Sequence, residues 1–215
     1  MTRVACRKSA ARALLLAATL VLAGCTSKVV IVPQSFMIDP PAPRLGAAPT
    51  EGSILSLRPV FIAPVYSGTA LVYRLGEHRV ESDPYARFGS APASMLTTAI
   101  FGYLRDASFV RDVVVAGESL RTDAVIEPFA GELCGDFSNS SDPVAVITLQ
   151  FRVLTSGGGT TPVRELLLHT YSQRTHIRER TAAEVVAAWN TGLAAIMKEF
   201  LVDLKAVVPP RQPAS

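Results

Sequence analysis

An α+β fold is predicted for this chain: an antiparallel or mixed sheet with two amphipathic helices packed on one face. Three observations point to it. Ala145, Ile147, Leu149, Phe151 and Val153 alternate with Thr148, Gln150 and Arg152, the period-two signature of a strand with one buried face. Val185, Trp189, Leu193, Ile196, Phe200 and Leu204 recur at the steps that place them on one stripe of a helix. A shorter stretch, Pro92 to Arg105, shows the same helical period through Leu96, Ile100 and Leu104, with Tyr103 beside them, and lies between strand-rich segments.

Ahead of that body is an export signal. Arg3, Arg7, Lys8 and Arg12 precede the apolar run Ala13 to Leu22, which ends in Leu22-Ala23-Gly24-Cys25. About ten apolar residues fall short of the ~30 Å hydrocarbon core of a bilayer, so the run is an address and not a spanning helix. The leucine, alanine, glycine, cysteine order resembles a bacterial lipobox, which implies cleavage before Cys25 and acylation of its thiol and new amino terminus. Two acyl chains give stable anchoring. Residues 1–24 are thus expected to be removed and residues 25–52 to form a lipidated tether. Pro33, Pro40, Pro41, Pro43 and Pro49 favour extended backbone there, with a reach from roughly 30 Å as coil to about 80 Å fully extended. Val29 to Val32 is a short apolar run that pairs as an edge strand or stays in the tether; the sequence leaves both open.

Removing residues 1–24 takes away four cations and no anion. The Lys+Arg count falls from 21 to 17 against 18 Asp+Glu, so a formal +3 becomes about −1 and basicity offers no argument for a nucleic-acid partner. Of three cysteines, Cys6 leaves with the signal and Cys25 takes lipid. Cys134 then has no intrachain partner and is expected to be a buried small hydrophobe, with a catalytic thiol or an intermolecular bridge as the other readings.

Residues 53–207 are read as one α+β domain and 208–215 as a disordered tail. Leu55 to Val65 is strand-like, but Pro59 and Pro64 confine it to an edge or to strand ends. Ala70 to Arg74 and His78 to Glu81 flank Gly76 as a hairpin. Pro92 suits the first turn of its helix. Val113 to Ala116 makes a short strand, and Ala124 to Leu133 a longer one with a bulge near Pro128 and Gly131. Gly157 to Gly159 joins the alternating strand to a second, Val163 to Ser172, where Leu166 and Leu168 alternate with Glu165 and His169. Thr181 and Glu184 form a capping box for a closing helix of about 26 residues ending before Pro209-Pro210. Its stripe is expected to pack on the sheet, with a partner or a membrane as the other possible cover.

Catalytic signatures are sparse. His78, His169 and His176 show no zinc-site spacing, and the last two should point to opposite faces of one strand. The glycine run lacks the lysine and hydroxyl residue of a phosphate loop, and no Gly-x-Ser-x-Gly occurs. Asp83, Asp136 and Asp142 sit in turn-like settings. No catalytic residue, metal site or cofactor is assigned.

With the lipobox in place, Gly68-Thr69-Ala70-Leu71-Val72-Tyr73-Arg74, then Tyr85-Ala86-Arg87-Phe88, then Pro92 with Met95-Leu96 become informative. Together with the Asp142-Pro143 turn and the long closing helix, the stretch Leu55 to Leu204 resembles the auxiliary lipoprotein component of ABC-type transport systems, the family accompanying MCE-domain lipid transporters. The resemblance implies a non-enzymatic, lipid-anchored subunit of the cell envelope that docks a periplasmic lipid conduit. Its implied partners are an MCE-domain periplasmic protein and, through it, an ABC permease and ATPase; a homo-oligomer is also compatible. Thr26 is not the aspartate that commonly retains lipoproteins in the inner membrane, which favours the outer membrane facing the periplasm. Tyr73, Arg74, Tyr85 and Phe88 are the candidate contact residues, either toward a partner or lipid or within the α/β junction, with Tyr85 and Phe88 as an aromatic lid between hairpin and helix. A cell-wall or secretion scaffold lipoprotein is the competing reading, and a lipid-anchored hydrolase a distant third.

Overall fold

A computed structural model describes residues 32–39, 51–115, 121–157 and 162–208. Cys25, the signal, residues 29–31 of the short apolar run, most of the tether, Ala116, Gly158 and Gly159 and the tail after Val208 lie outside the described residues. From Pro33 onward the chain forms one compact unit.

The nine strands are β1 (Gln34–Phe36), β2 (Ser53–Leu57), β3 (Phe61–Ile62), β4 (Ala70–Arg74), β5 (Val80–Phe88), β6 (Val110–Val115), β7 (Ala124–Asp136), β8 (Val144–Thr155) and β9 (Glu165–His176). The helices are α1 (Pro92–Arg105) and α2 (Ala182–Val207). They build one mixed sheet in the order β1-β5-β4-β7-β2-β6, with β3 also on β7 and with β8 and β9 continuing from it.

β7 organises the sheet. One of its edges pairs antiparallel with β8 from Ala124↔Thr155 to Asp136↔Val144. The other edge takes three successive parallel strands: β2 through Leu55↔Ala124, β3 through Phe61↔Phe129 and β4 through Tyr73↔Gly135. Prolines cannot donate to a ladder, so Pro59 and Pro64 end each segment and the chain steps along β7 in pieces. β2 is therefore interior, between β6 and β7, and of the two places expected for the prolines only the strand ends hold. The register shift between Ala130 and Glu132 is the bulge expected at Gly131.

Both helices cover one face. Leu96, Ile100 and Leu104 of α1 and Val185, Trp189, Leu193, Ile196, Phe200 and Leu204 of α2 are fully buried. Phe200 stacks on Phe151 at 3.8 Å. The Trp189 indole N–H donates to the carbonyls of Val146 (3.0 Å) and Cys134 (3.3 Å), so the largest core side chain leaves no polar atom unpaired. α2 is long and apolar enough to cross a membrane by composition alone; its stripe instead covers the sheet.

Local differences from the sequence reading have physical causes. Thr181 Oγ accepts from the Glu184 N–H at 3.3 Å, but the Thr181 N–H donates to the Glu179 carbonyl, so only half of the capping box forms. The unbroken register from Val144↔His176 to Val153↔Leu167 sets Leu168 opposite Arg152 on the outer face and leaves it exposed; the inward large residue of that strand is Tyr171, and the ladder shifts only beyond Val153. Within the stretch read as tether, β1 pairs parallel with β5, Ile38 enters the core and the Asp39 N–H donates to the Asn190 side chain. Residues 34–39 belong to the body, because Phe36 and Ile38 bury apolar surface there. At the other end Val208 is buried, as the cap of α2.

Candidate functional site

The face of the sheet away from the helices carries the molecule's densest polar constellation. The pairing that buries Ile126, Ala130 and Leu133 turns Glu127, Glu132 and Asp136 of β7 the other way, beside Arg152 and Thr148 of β8. β9 adds Arg174 and Ser172. Arg74, at the end of β4, bonds Glu132 at 2.5 Å and Asp136 at 3.4 Å; Arg174 reaches Asp136 at 3.0 Å, and Ser138 donates to the same carboxylate. Thr148 donates to the second oxygen of Glu132. Further along, Arg58 and Arg152 flank Glu127, and Arg152 bonds Glu165 at 2.8 Å.

Two sides of an energy balance are visible in these groups. Burial raises the pKa of Asp136 and Glu132, but hydrogen bonds from Ser138, Arg174 and Arg74 outweigh it and hold both below the ordinary carboxylate range. The hydrogen bond to Glu132 holds Arg74 more firmly charged. Cys134 lies buried in the same layer beside Tyr66 and Arg74, and burial pushes its thiol up to about 11. A thiol so held stays protonated near neutral pH and is a poor nucleophile. The histidines are dispersed: His78 beside Glu77, His176 at 2.7 Å from Asp142, and His169 edge-on to Tyr171 on the opposite face of β9 from His176. Among the described residues no group of acidic, histidine and cysteine side chains is arranged to hold a metal ion.

The four contact candidates separate. Tyr73 lies on the helix side, stacked on Phe137 at 5.1 Å, and donates its hydroxyl to Asp83; burial first, then that acceptor, raises its pKa. Arg74 is on the outer face, in the ion-pair cluster. Phe88 is buried against Trp189 at 5.7 Å, whereas Tyr85, on the same strand, is exposed. No aromatic lid forms, because β5 stays extended through both and sends them to opposite faces. Asp83 accepts from the Tyr85 and Ala86 N–H groups, an Asx-type turn within the strand beside Pro84. Asp136, expected in a turn, does accept from the Ser138 N–H just past β7, and it is in addition a buried ion-pair partner of Arg174.

Glu132, Asp136 and Arg174 were invisible as a site in the sequence, since Arg74 lies 58 and 62 residues from its two carboxylates. The available signal was weak: Glu127, Glu132 and Asp136 spaced along a mainly apolar strand. Elsewhere, a largely apolar groove of about 460 Å³ runs between Met37 to Asp39 and α1, lined by Ile38, Met95, Thr98 and Phe101.

Fold and site together define a mixed sheet covered on one face by two helices and carrying an ion-paired cluster on the other. The chain belongs to the family of ABC-type transport auxiliary lipoprotein components, whose family model matches residues 36–200. Among curated proteins no sequence matches it. Its fold is similar to that of protein XCC0632 from Xanthomonas campestris, of the DUF330 family, at 17% identity over 82% of this chain and 96% of that one, TM-score 0.64. It is also similar to an uncharacterized protein at 11% identity, covering 80% and 99%, TM-score 0.62, and to the hypothetical protein CT253 from Chlamydia trachomatis at 9% identity, covering 73% and 98%, TM-score 0.53. Family membership makes the chain an auxiliary, cell-envelope component of an ABC-type transport system.

Proposed function

We propose that this chain is the lipid-anchored docking subunit of an MCE-type envelope lipid transport system, held at the outer membrane through Cys25 and facing the periplasm, where it completes the lipid conduit and supports membrane integrity. The observation that carries this reading is the conjunction of a lipobox ending at Cys25 with a family match that begins at residue 36. An MCE-domain protein is the direct partner in this reading, and the permease and ATPase are separate chains. The subunit is not an enzyme: its buried thiol is protonated, and its carboxylates are saturated by arginines. The outer sheet face and the open strand edges, that of β9 among them, are surfaces available to the MCE protein or to further copies of the chain.

A mild-detergent pull-down of the full-length lipoprotein from its own membranes, with proteins and lipids identified, tests this. Recovery of an MCE protein with its ATPase and permease is the expected result. Recovery of cell-wall synthesis or secretion components instead would replace the transporter reading with the scaffold one. Cys25→Ser should abolish fatty-acid incorporation; continued labelling would remove the anchor from the proposal.

A further inference from the structure

The docking of β1 changes what the anchor is able to do. Gln34 pairs opposite Ala86, so the chain joins the folded body at the β1–β5 edge. Nine residue steps separate Cys25 from Gln34, a fully extended reach of about 30 Å. The long stand-off that twenty-seven free residues would have allowed is gone. This leash keeps the surface around Gln34 within about 30 Å of the bilayer, and the opposite edge of the same sheet, β9, lies five strand spacings from it, about 24 Å.

The surface around that junction has the chemistry of a headgroup contact. Tyr85 is exposed beside Ala86, the residue opposite Gln34. Arg87, the next exposed residue on the same side of β5, makes no ion pair among the described residues. Val80 at the start of β5 and Met37 just after β1 are exposed large apolar side chains at the same edge. Tyrosine is favoured where an apolar ring and a polar hydroxyl straddle the water boundary, and arginine extends its apolar stem while its head meets phosphate. At the β9 edge, by contrast, Arg174 is tied to Asp136 and His176 to Asp142.

We infer that the β1–β5 edge, with Tyr85, Arg87 and Val80, is a membrane-contact surface that seats the domain against the phospholipid headgroups of its own anchoring leaflet and turns the β9 edge toward the periplasmic partner. The inference rests on lipidation at Cys25 and deepens the docking reading by giving the domain an orientation.

The test uses the full-length acylated protein in vesicles of phosphatidylethanolamine and phosphatidylglycerol carrying a nitroxide headgroup quencher. Single fluorophores are attached through Tyr85→Cys, Val80→Cys, Leu168→Cys or Val202→Cys, all at exposed positions; Cys134 is buried and Cys25 acylated, so neither competes for label. Quenching several-fold stronger at positions 80 and 85 than at 168 and 202 is the expected result. Even quenching, or stronger quenching at 168 or 202, overturns the inference while leaving the anchor intact, provided the protein floats with vesicles and its amino-terminal peptide carries acyl mass. If it neither floats nor carries acyl mass, the anchoring reading itself has failed and the orientation falls with it.

Discussion

The two faces of the sheet are stabilised by opposite means. On the helix side Trp189, Phe151, Phe200, Leu96 and Ile147 are fully buried, and the few polar atoms among them find backbone partners. On the outer side the same strands present arginines and carboxylates, and stability there depends on mutual neutralisation. Burying an apolar side chain contributes by transfer from water and by dispersion, and it is insensitive to pH. A half-buried ion pair returns little more than its desolvation costs, yet removing one partner leaves the other stranded. The helix face therefore carries the fold, while the outer face keeps a soluble, specific surface above a sheet that would otherwise be sticky.

Trp189→Ala strikes the helix face hardest. It removes a large core aromatic and the donor to Val146 and Cys134, and should cost ~3–5 kcal/mol. At ~2–4 °C per kcal/mol for a domain of this size, thermal denaturation of a Cys25→Ser background should show a fall of roughly 6–20 °C. A variant as stable as its parent would mean that α2 does not hold the sheet.

Gly192→Ala probes how tightly α2 lies on β8. A Cβ there would meet Ile147 Cγ2 at 2.9 Å and Gln173 Cβ at 3.2 Å. Overpacking of this kind costs ~1–3 kcal/mol, although alanine is the better helix former, and a stabilised variant would show a looser interface than the structure has.

Asp136→Asn tests the outer face, with an expected loss of roughly 1–2 kcal/mol at neutral pH, reduced by the exposure of Arg174. The pH profile is the sharper measurement. Asp136 and Glu132 have folded pKa values below their unfolded ones, so their stabilisation is complete above about pH 4 and is lost as pH falls through the folded values. The parent should therefore lose stability in acid with a steeper slope than the variant. Tyr73 and Tyr171, whose pKa values are raised by burial and then by Asp83 and Asp203, give the opposite limb, with stability present below about pH 10 and lost above it. Parallel acid limbs in parent and variant would remove Asp136 from the account.

Tyr85→Ser should be the mildest, within ~0.5 kcal/mol, because the ring is exposed and makes no core contact. Equilibrium unfolding in urea measures it against Phe88→Ala, which should lose several-fold more. Equal losses would contradict the opposite facing of these two residues.

Local order set much of this molecule from the sequence alone. A proline in the first turn and a strict apolar period define α1 as Pro92–Arg105, and a Thr181 cap with a six-member stripe defines α2 as Ala182–Val207; such signals act within a few turns and need no distant partner. The same is true of the β7 bulge at Gly131 and of the alternation along β8. Other features depended on residues far apart in the chain. The stepping of β2, β3 and β4 along β7, the docking of β1 on β5, the flip of Leu168 to water and the joining of Arg74 to Glu132 and Asp136 all arise from pairings that no local period encodes. A one-residue shift in register reverses every side chain beyond it, and an ion pair forms wherever two strands bring its members together. The local spacing of apolar residues determined that a helix-covered sheet would form, and strand pairing across the chain decided which residues met on its open face.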